Sequence, residues 1–522
     1  MKFSASCGAH LPSGHLGRPL RRALWCAALL GAHAWPQAAA PPQAYYFSDC
    51  QAGAAPSCVQ GHNWNPGTSP STPKRDLGGV EVNDLPPGTR LLFARGAVWT
   101  TVQGGQIANY NVTTDQPLVF EAYGSGPLPW FKTPRDEIAF NFYDYPVSTV
   151  DGGYTLRNLR LDGQGIALAG VAQGWGTTHI TLEGVVIEGY RIGMHLGQGT
   201  RHLTVRRSTL RGNQEHGILG AGSDWLIEGN RFEGNGNATP PGTHSIYISA
   251  GALAERITLR GNTITASSLA DGRCRSGNLT LHGTVNDVLI EGNTILTPGH
   301  GPGCRGASIT AGYDKAESMR GVVVRGNRFI NAGVAVAFSA APGIVIEHNL
   351  LVDTTGQRVT LVEPARNFSG GDDEADGAAV IRHNTVYLPA AGAGSTAIRS
   401  LAGDELLVSS NLVYFGHDSH PSHACFDHAS IGSYVRFDDN LCHHAGGRGR
   451  WSTRHATLAA ARRAGFDVNG HDDDPLFVAP PSAGNDWSVR LDPASPAAEH
   501  GRRAHPEPRP EALRGAAAVH PN

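Results

Sequence analysis

The sequence is poor in charge and has almost no lysine. Charged residues make up 17% of the 522 residues, and the formal net charge is −3. Lysine occurs only at Lys2, Lys74, Lys132 and Lys315, so the basic side chains are nearly all arginines. No block of Lys and Arg is present, which excludes a polybasic nucleic-acid-binding segment. We therefore expect no nucleic-acid partner.

The chain also lacks an apolar run long enough to span a membrane securely. Its N-terminal apolar run, Ala23–Trp35, is too short for that. Arg21 and Arg22 precede the run, and small residues at 37–40 suit signal cleavage. Residues 1–40 are thus expected to be a signal peptide, with an uncleaved anchor as the alternative. The mature protein should be secreted or periplasmic and have no membrane span.

A short sequence motif recurs along the chain, and no copy of it has helical periodicity. It reads apolar, any residue, apolar, then two small or polar residues, usually Asn, and apolar again, and it recurs about every 22 to 35 residues between Arg157 and Cys442. Alternating Val, Ile and Leu in each copy are typical of a strand. The positions aligned with the Asn are Asn158, Gly184, Ser208, Asn230, Asn262, Asn293, Asn327, Asn349, Asn384, Asn411 and Asn440.

The repeat predicts a stack of short strands. One strand cannot bury an apolar face alone, so successive copies must stack, about 4.8 Å apart. Asn suits a bend between two strands because it tolerates left-handed backbone angles, and its side chains can hydrogen-bond along a stack. The fold class expected is all-β, a single-stranded parallel β-helix solenoid with N-terminal and C-terminal caps.

Six cysteines follow the signal segment, an even number that favours disulfides in an exported chain. The sequence alone leaves the connectivity open. Pairs that close local loops are favoured, namely Cys50–Cys58, Cys274–Cys304 and Cys425–Cys442.

Both ends of the mature chain resemble secreted right-handed β-helix proteins of the pectate-lyase-like class. At the start, residues 65–69 read NPGTS, and Pro87-Gly88 is followed by Thr89 where that class has Asp. Near the end, residues 474–477 read DPLF and residues 486–491 read DWSVRL. The resemblance implies a right-handed coil and capped ends.

The resulting organisation has four parts. They are a signal peptide at 1–40, an N-terminal cap and first turns at 41–130, a parallel β-helix at 131–450, and a C-terminal cap and tail at 451–522. A short helix over Thr453–Ala464 is expected to close the end. The fold itself hosts lyases, hydrolases, epimerases and adhesins, so function depends on outward side chains.

Alternation along the second strand of each turn separates inward from outward residues. Inward positions are Met194, Ile218, Ile246, Ile248, Leu279, Leu281, Ile309, Val336 and Phe338. Outward positions are His195, Leu219, Tyr247, Thr280, His282 and Thr310. His282 should lie diagonal to Tyr247, and His195 two turns away.

These outward positions supply the candidate site. Tyr247 and His282 are expected to transfer protons, while His195 and Lys315 hold an anionic sugar. The substrate-binding candidates are Thr280, Thr310, Trp175 and Trp225. For Lys315 a solvated loop is the alternative.

Three groups of residues have mainly structural interpretations. His216 and His244 begin their strands with inward parity, which favours hydrogen bonds to neighbouring backbone over catalysis. Asp372, Asp373 and Asp376 form an acidic loop that could hold Ca²⁺, although its spacing matches no EF-hand. The His-rich stretch 417–444 contains neither HExxH nor CxxC, so a solvated, disulfide-tied loop is favoured.

The outward positions contain no carboxylate pair, which disfavours glycoside hydrolysis. An Asp-Pro-His motif of alginate epimerases is absent. A polysaccharide lyase that cleaves an acidic, uronate-containing glycan by β-elimination fits best, acting as a monomer on a polysaccharide substrate. The alternative is a non-catalytic glycan-binding or surface-adhesion solenoid.

Overall fold

Short strands stack in parallel along most of the chain. This computed structural model describes residues 43–101, 105–143, 151–174, 176–237, 242–265, 267, 269–270, 273–274, 276–297, 305–310, 317–364, 377–401 and 403–497. Within them, 37 strands form one continuous sheet whose pairings are parallel. Each strand pairs with the corresponding strand of the next turn, so the prediction of an all-β parallel solenoid is confirmed.

Each turn contributes to three parallel stacks, here called sheets 1, 2 and 3. Sheet 1 contains Ala44–Phe47, Arg90–Ala94, Leu118–Tyr123, Asp151–Arg157, Thr177–Glu183, Thr200–Arg206, Gly222–Ser223, Trp225–Glu228, the later parts of His244–Arg260 and Leu279–Glu291, Val323–Arg325, Ile344–Glu347, Ala379–Arg382, Leu406–Ser409 and Tyr434–Asp438. Sheet 2 contains Val98–Trp99, Trp130–Lys132, the first parts of Arg160–Gln173 and Val186–Leu196, Thr209–Arg211, Arg231–Glu233, Thr263–Thr265, Thr294–Leu296, Arg328–Ile330, Leu350–Val352, Thr385–Leu388, Leu412–Phe415 and Leu441–His444.

Sheet 3 carries the candidate site. It contains Gln106–Ile107, Ile138–Phe142, the later parts of Arg160–Gln173 and Val186–Leu196, His216–Gly220, the first parts of His244–Arg260 and Leu279–Glu291, Arg305–Thr310, Val334–Ser339, Thr360–Pro364, Thr396–Ser400, Ala424–His428 and Arg450–Ser452. Two antiparallel pairs lie outside the stack, Leu269–Ala270 with Arg273–Cys274 and Phe477–Ala479 with Arg490–Leu491.

The repeated asparagines form a hydrogen-bonded ladder between sheets 1 and 2. From Asn262 to Asn440, each buried amide oxygen accepts from the backbone N–H and the Nδ2 of the preceding ladder Asn, at 2.9–3.2 Å. The last acceptor is Asp467. Hydrogen bonding of stacked Asn side chains, which the repeat predicted, is therefore confirmed.

Two details of the predicted bend are wrong. The left-handed residue is the one before each ladder Asn, such as Gly292 (φ 62°) and His348 (φ 54°), since it turns the chain while the Asn side chain points inward. Asn158 (φ 57°) and Gly184 (φ 64°) occupy this preceding position. The alignment of the repeat therefore places these two residues one position too early relative to the ladder asparagines.

The outer surface of sheet 1 carries a column in which charge alternates from turn to turn. Opposite charges therefore face each other across neighbouring strands, which avoids like-charge repulsion within the stack. In register order the column is Glu121, Arg157, Glu183, Arg206, Glu228, Arg260, Glu291, Arg325, Glu347 and Arg382. Five of the chain's 38 arginines (42 Lys and Arg minus four Lys) are in this column, and five glutamates balance their charge.

The interior is apolar, as alternation predicted. All nine inward residues named for sheet 3 are buried, with at most 3% of the side chain of any one exposed. Near the N-terminus the core is aromatic, and the rings of Trp99 and Phe131 stack with centroids 4.9 Å apart. Burial of these large side chains on folding is the main stabilising contribution of the coil.

Disulfides and a short helix stabilise the ends. Cys50–Cys58 and Cys425–Cys442 are bonded as predicted. Cys274 is also disulfide-bonded, and its expected partner Cys304 lies outside the described residues. Among the described residues, no helix is long and apolar enough to cross a membrane.

The C-terminal helix is shorter than expected. It spans Leu458–Arg463, and its N-cap is Thr457, whose hydroxyl accepts from the backbone N–H of Ala460. Buried Leu458 and Ala461 join the main core near the last turn. The 3-10 helices are Val82–Asp84, Ile431–Ser433 and Ala483–Asn485.

The Phe477 segment covers the side of sheet 2. The Phe477 ring meets Tyr387 and Tyr414 edge-on, at centroid distances of 5.0 and 5.4 Å. This contact covers apolar side chains that point outward from the stack.

Candidate active site

The outward side chains of sheet 3 form two neighbouring columns, because parallel pairing keeps equivalent residues in register. His195 pairs with Leu219, Leu219 with Tyr247, and Tyr247 with Thr280. One step along, His282 pairs with Thr310. The predicted relation of these residues is therefore confirmed, including the two turns between His195 and Tyr247.

Tyr247 and His282 are in direct contact. The Tyr247 hydroxyl lies 2.9 Å from Nδ1 of His282, and the two rings are nearly parallel, 19° apart, with centroids 6.1 Å apart. Tyr247 is half-buried, whereas 7% of His282 is exposed. A phenol that bonds an imidazole at the edge of solvent can pass a proton to it or receive one from it.

His216 and His244 complete a cluster around Tyr247, an arrangement that the sequence did not predict. Their ring centroids lie 5.5 and 4.7 Å from that of Tyr247, and the rings of the two histidines are 5.8 Å apart. The expectation that both would point inward is wrong, since His244 Nδ1 lies 3.1 Å from the hydroxyl of the outward Thr280. At the beginning of each strand the pleat is not yet established, so alternation does not determine whether a side chain there points inward or outward.

Backbone contacts determine the tautomers of these two rings. Nδ1 of His216 accepts from the backbone N–H of His244, at 3.2 Å. Nδ1 of His244 lies 2.7 Å from the carbonyl oxygen of Gly277, to which it donates. The predicted backbone hydrogen bonds are thus confirmed. The neutral His216 ring then carries its proton on Nε2, whereas the neutral His244 ring leaves Nε2 as an acceptor.

Burial keeps the cluster uncharged. Loss of solvent lowers the pKa of His216 to about 4 and that of His244 to about 4. Burial also lowers the pKa of His282 by more than the nearby Glu317 carboxylate raises it. For His195, burial and then the charge of Arg191 lower the pKa. Near pH 7 the imidazoles are therefore neutral and able to accept protons.

The predicted substrate-binding residues have different surroundings. Thr280 and Thr310 are on the outward side but are buried, with 7% and 5% exposed. Trp225 was expected to be an exposed aromatic, and this is wrong. Its side chain is 1% exposed and belongs to the core, because it has the same parity as the inward Ile227.

Several candidates lie outside the described residues. These are Trp175, Lys315, Asp372, Asp373 and Asp376. No geometry is assigned to them, and the Ca²⁺ site remains an expectation.

The His-rich segment near the C-terminus is tied by a disulfide as expected but is solvated only in part, since His417 and His420 are exposed. His423 and His428 are buried, with 1% and 0% exposed. His444 Nε2 lies 3.8 and 3.7 Å from the sulfurs of Cys425 and Cys442. Those sulfurs form a disulfide and offer no thiolate, so this cluster is not a metal site while the bond is intact.

Further along sheet 3 the same face opens into a groove of about 210 Å³. Arg305, Arg358, Arg399 and Glu363 contribute its charged side chains. Sequence reasoning did not bring these residues together, since they belong to three turns separated by loops of unequal length.

One family model matches part of the chain. Residues 150–295 and 196–386 match the right handed beta helix region, which supplies the handedness of the coil. No curated protein sequence matches the chain. The parallel stack and this match make the chain a right-handed parallel β-helix protein.

Solved structures with similar coils have diverse functions. A lacto-N-biosidase from Eubacterium ramulus is 13% identical over 75% of this chain and 67% of its own, with a TM-score of 0.40. An alginate lyase from Paenibacillus is 14% identical over 72% and 94%, with a TM-score of 0.30. A surface adhesin of Streptococcus pneumoniae is 10% identical over 70% and 85%, with a TM-score of 0.37. Identities this low do not transfer an activity.

Proposed function

We propose that this right-handed β-helix protein is an exported polysaccharide lyase that cleaves a uronate-containing glycan by β-elimination. The observation that carries the proposal is the 2.9 Å contact between the Tyr247 hydroxyl and Nδ1 of His282 on the outer face of sheet 3. Elimination needs a base for the proton at C5 and an acid for the leaving oxygen at C4. A linked phenol and imidazole can fill both roles.

The proton balance can be followed through this pair. Neutral His282 accepts the hydroxyl proton of Tyr247 at Nδ1, and the phenolate takes the C5 proton. The C–H electrons form the C4–C5 double bond while the C4–O bond breaks. The imidazolium then donates a proton to the leaving oxygen, directly or through Tyr247. No water is consumed, and the pair ends with the protons that it had at the start.

Residues near the Tyr247–His282 pair bind and orient the sugar. His195 lies two turns from Tyr247 on the same column, where it can hydrogen-bond a neighbouring sugar unit. The Thr280 hydroxyl contacts Nδ1 of His244, a contact that steadies the ring beside Tyr247. Lys315 and a Ca²⁺ at Asp372, Asp373 and Asp376 are further candidates for neutralising the uronate carboxylate.

Hydrolysis is the less favoured reaction on this face. Continued to later turns, the outward column does contain carboxylates, Glu363 and Asp427. Both lie near Arg399, with nitrogen–oxygen distances of 3.4 and 3.5 Å. The Arg399 side chain lies between these two carboxylates, in the space that a glycosidase leaves open for the scissile bond.

The test is an ultraviolet assay for unsaturated uronates, using mature protein and a panel of acidic polysaccharides with and without a chelator. The wild type should raise the absorbance on at least one substrate. Tyr247→Phe and His282→Gln should each lower the rate about 10²- to 10⁴-fold, the usual contribution of general acid–base catalysis. Tyr110→Phe, at an exposed tyrosine, is the matched control and should leave the rate unchanged.

A flat absorbance on every acidic polymer would contradict the lyase proposal. Binding without turnover, unaffected by Tyr247→Phe, would instead favour a glycan-binding or adhesion solenoid. The chelator arm tests separately whether Ca²⁺ is needed. The disulfides are consistent with the proposed export to an oxidising compartment.

A further inference from the structure

The groove on sheet 3 beyond the histidine cluster is rich in arginine. It spans the starts of the strands Arg305–Thr310, Val334–Ser339, Thr360–Pro364 and Thr396–Ser400. Its floor is formed by backbone and by small side chains such as Val334, Thr360 and Thr396. This shape leaves room between the guanidinium groups.

Among the described residues, only one of these arginines has carboxylate partners. Arg399 lies near both Glu363 and Asp427. Arg358 is exposed, and its Nε donates to the carbonyl oxygen of Gly394 at 3.1 Å. In the part of the chain that the structure describes, neither Arg305 nor Arg358 pairs with a carboxylate. The groove therefore has an excess of positive charge while the whole chain carries a net charge of −3.

The groove adjoins the proposed active site. The carbonyl of Gly277 accepts from His244, and the next residue, Asn278, donates its backbone N–H to the carbonyl of Arg305 at 3.0 Å. Arg305 thus begins the turn directly after the cluster, and Arg358 lies two turns further along. At about 4.8 Å a turn, the groove centre is on the order of 15 Å from Tyr247.

We propose that Arg305 and Arg358 form an anion subsite for carboxylates on sugar units next to the one that reacts. This inference rests on the proposed function, because it assumes that the glycan lies along sheet 3 across Tyr247. The planar guanidinium groups suit carboxylates, to which they can donate two parallel hydrogen bonds. Arg399 is a positioning residue here, held in place between Glu363 and Asp427.

The subsite predicts that charge, not sugar shape alone, determines binding. Affinity should be higher for free-acid uronate oligomers than for their methyl esters, which retain the sugar but lose the anion. It should also fall with salt, because part of each guanidinium group is exposed to solvent.

Calorimetry on the inactive Tyr247→Phe protein separates binding from cleavage. Oligomers of galacturonate, of glucuronate and of mannuronate, with methyl esters of each, serve as probes. At least one free acid should bind more tightly than its ester. Arg305→Gln and Arg358→Gln should each weaken that binding about tenfold, the effect of losing one charge-assisted contact. Arg463→Gln, which removes an exposed charge on the terminal helix, is the matched control.

The results distinguish this subsite from the catalytic proposal. Equal binding of acids and esters, binding unchanged in the Arg305→Gln, Arg358→Gln double variant, or no binding of any oligomer would overturn the subsite. Arginine-dependent binding in a protein whose wild type never cleaves would support the subsite and remove the lyase assignment. Melting curves of the variants should match the wild type, and a variant that melts early is replaced by Arg→Met at the same position, which also removes the charge.

Discussion

Asn293 provides the sharpest test of what holds the coil together. It lies near the middle of the ladder and is 1% exposed. Its Nδ2 donates to Leu259 O at 2.8 Å and to Asn327 Oδ1 at 3.0 Å. Its Oδ1 accepts from the backbone N–H and the Nδ2 of Asn262, at 2.9 and 3.0 Å. Asn293→Ala removes all four bonds and leaves their partners buried.

The cost follows from these bonds. At about 1 kcal/mol net for each buried hydrogen bond, the variant should lose about 4 kcal/mol of unfolding free energy. An unfolding entropy of about 2 cal/mol/K per residue over roughly 450 residues converts this loss into a fall of about 4 °C in Tm.

Denaturant unfolding followed by circular dichroism, together with calorimetric melting, measures both quantities. Asn469→Ala is the control, because Asn469 is exposed and its side chain donates to the half-buried Asp438. It should cost less than about 1 kcal/mol. A loss of the same small size for Asn293→Ala would refute the view that the ladder stabilises the stack.

Two further predictions concern pH. Burial holds the pKa of Asp467 well above its usual range at the end of the ladder. Its contribution to stability is present below the unfolded pKa of about 4 and is lost as pH rises through the folded pKa. Asp467→Asn should therefore be more stable than the wild type at neutral pH, and the two denaturation midpoints should converge toward pH 4; parallel midpoints would contradict this account. Because burial lowers the pKa of His282, cleavage should stay level as pH falls through 6.5, the ordinary value for His, and decline only below it. A decline centred at or above 6.5 would argue against neutral His282 as the proton acceptor.

The sequence predicted the regular parts of the coil well. Alternation identified the apolar side chains of sheet 3 that fill the interior, and register placed His282 diagonal to Tyr247, because side chains along a strand alternate with a period of two. The same alternation placed Trp225 inward beside Ile227, so the exposed position expected for it was a misinterpretation of available information.

The sequence was less informative where strands begin and where loops vary. His216 and His244 start their strands, and their rings contact Tyr247 although parity pointed inward. Arg305 and Arg358 line the same groove because of the lengths of the loops between their turns. These loops differ in length, so the sequence contains no fixed spacing from which the two arginines could be placed together. These are the features that give the site its shape and charge.

The masses of the products test the lyase assignment most directly. When a defined uronate oligomer is cut once, elimination predicts two fragments whose masses sum to that of the substrate, one of them with an unsaturated end. The wild type should give this result, and Tyr247→Phe should give almost no fragments in the same time. Fragments that together exceed the substrate by one water would show hydrolysis and contradict the account.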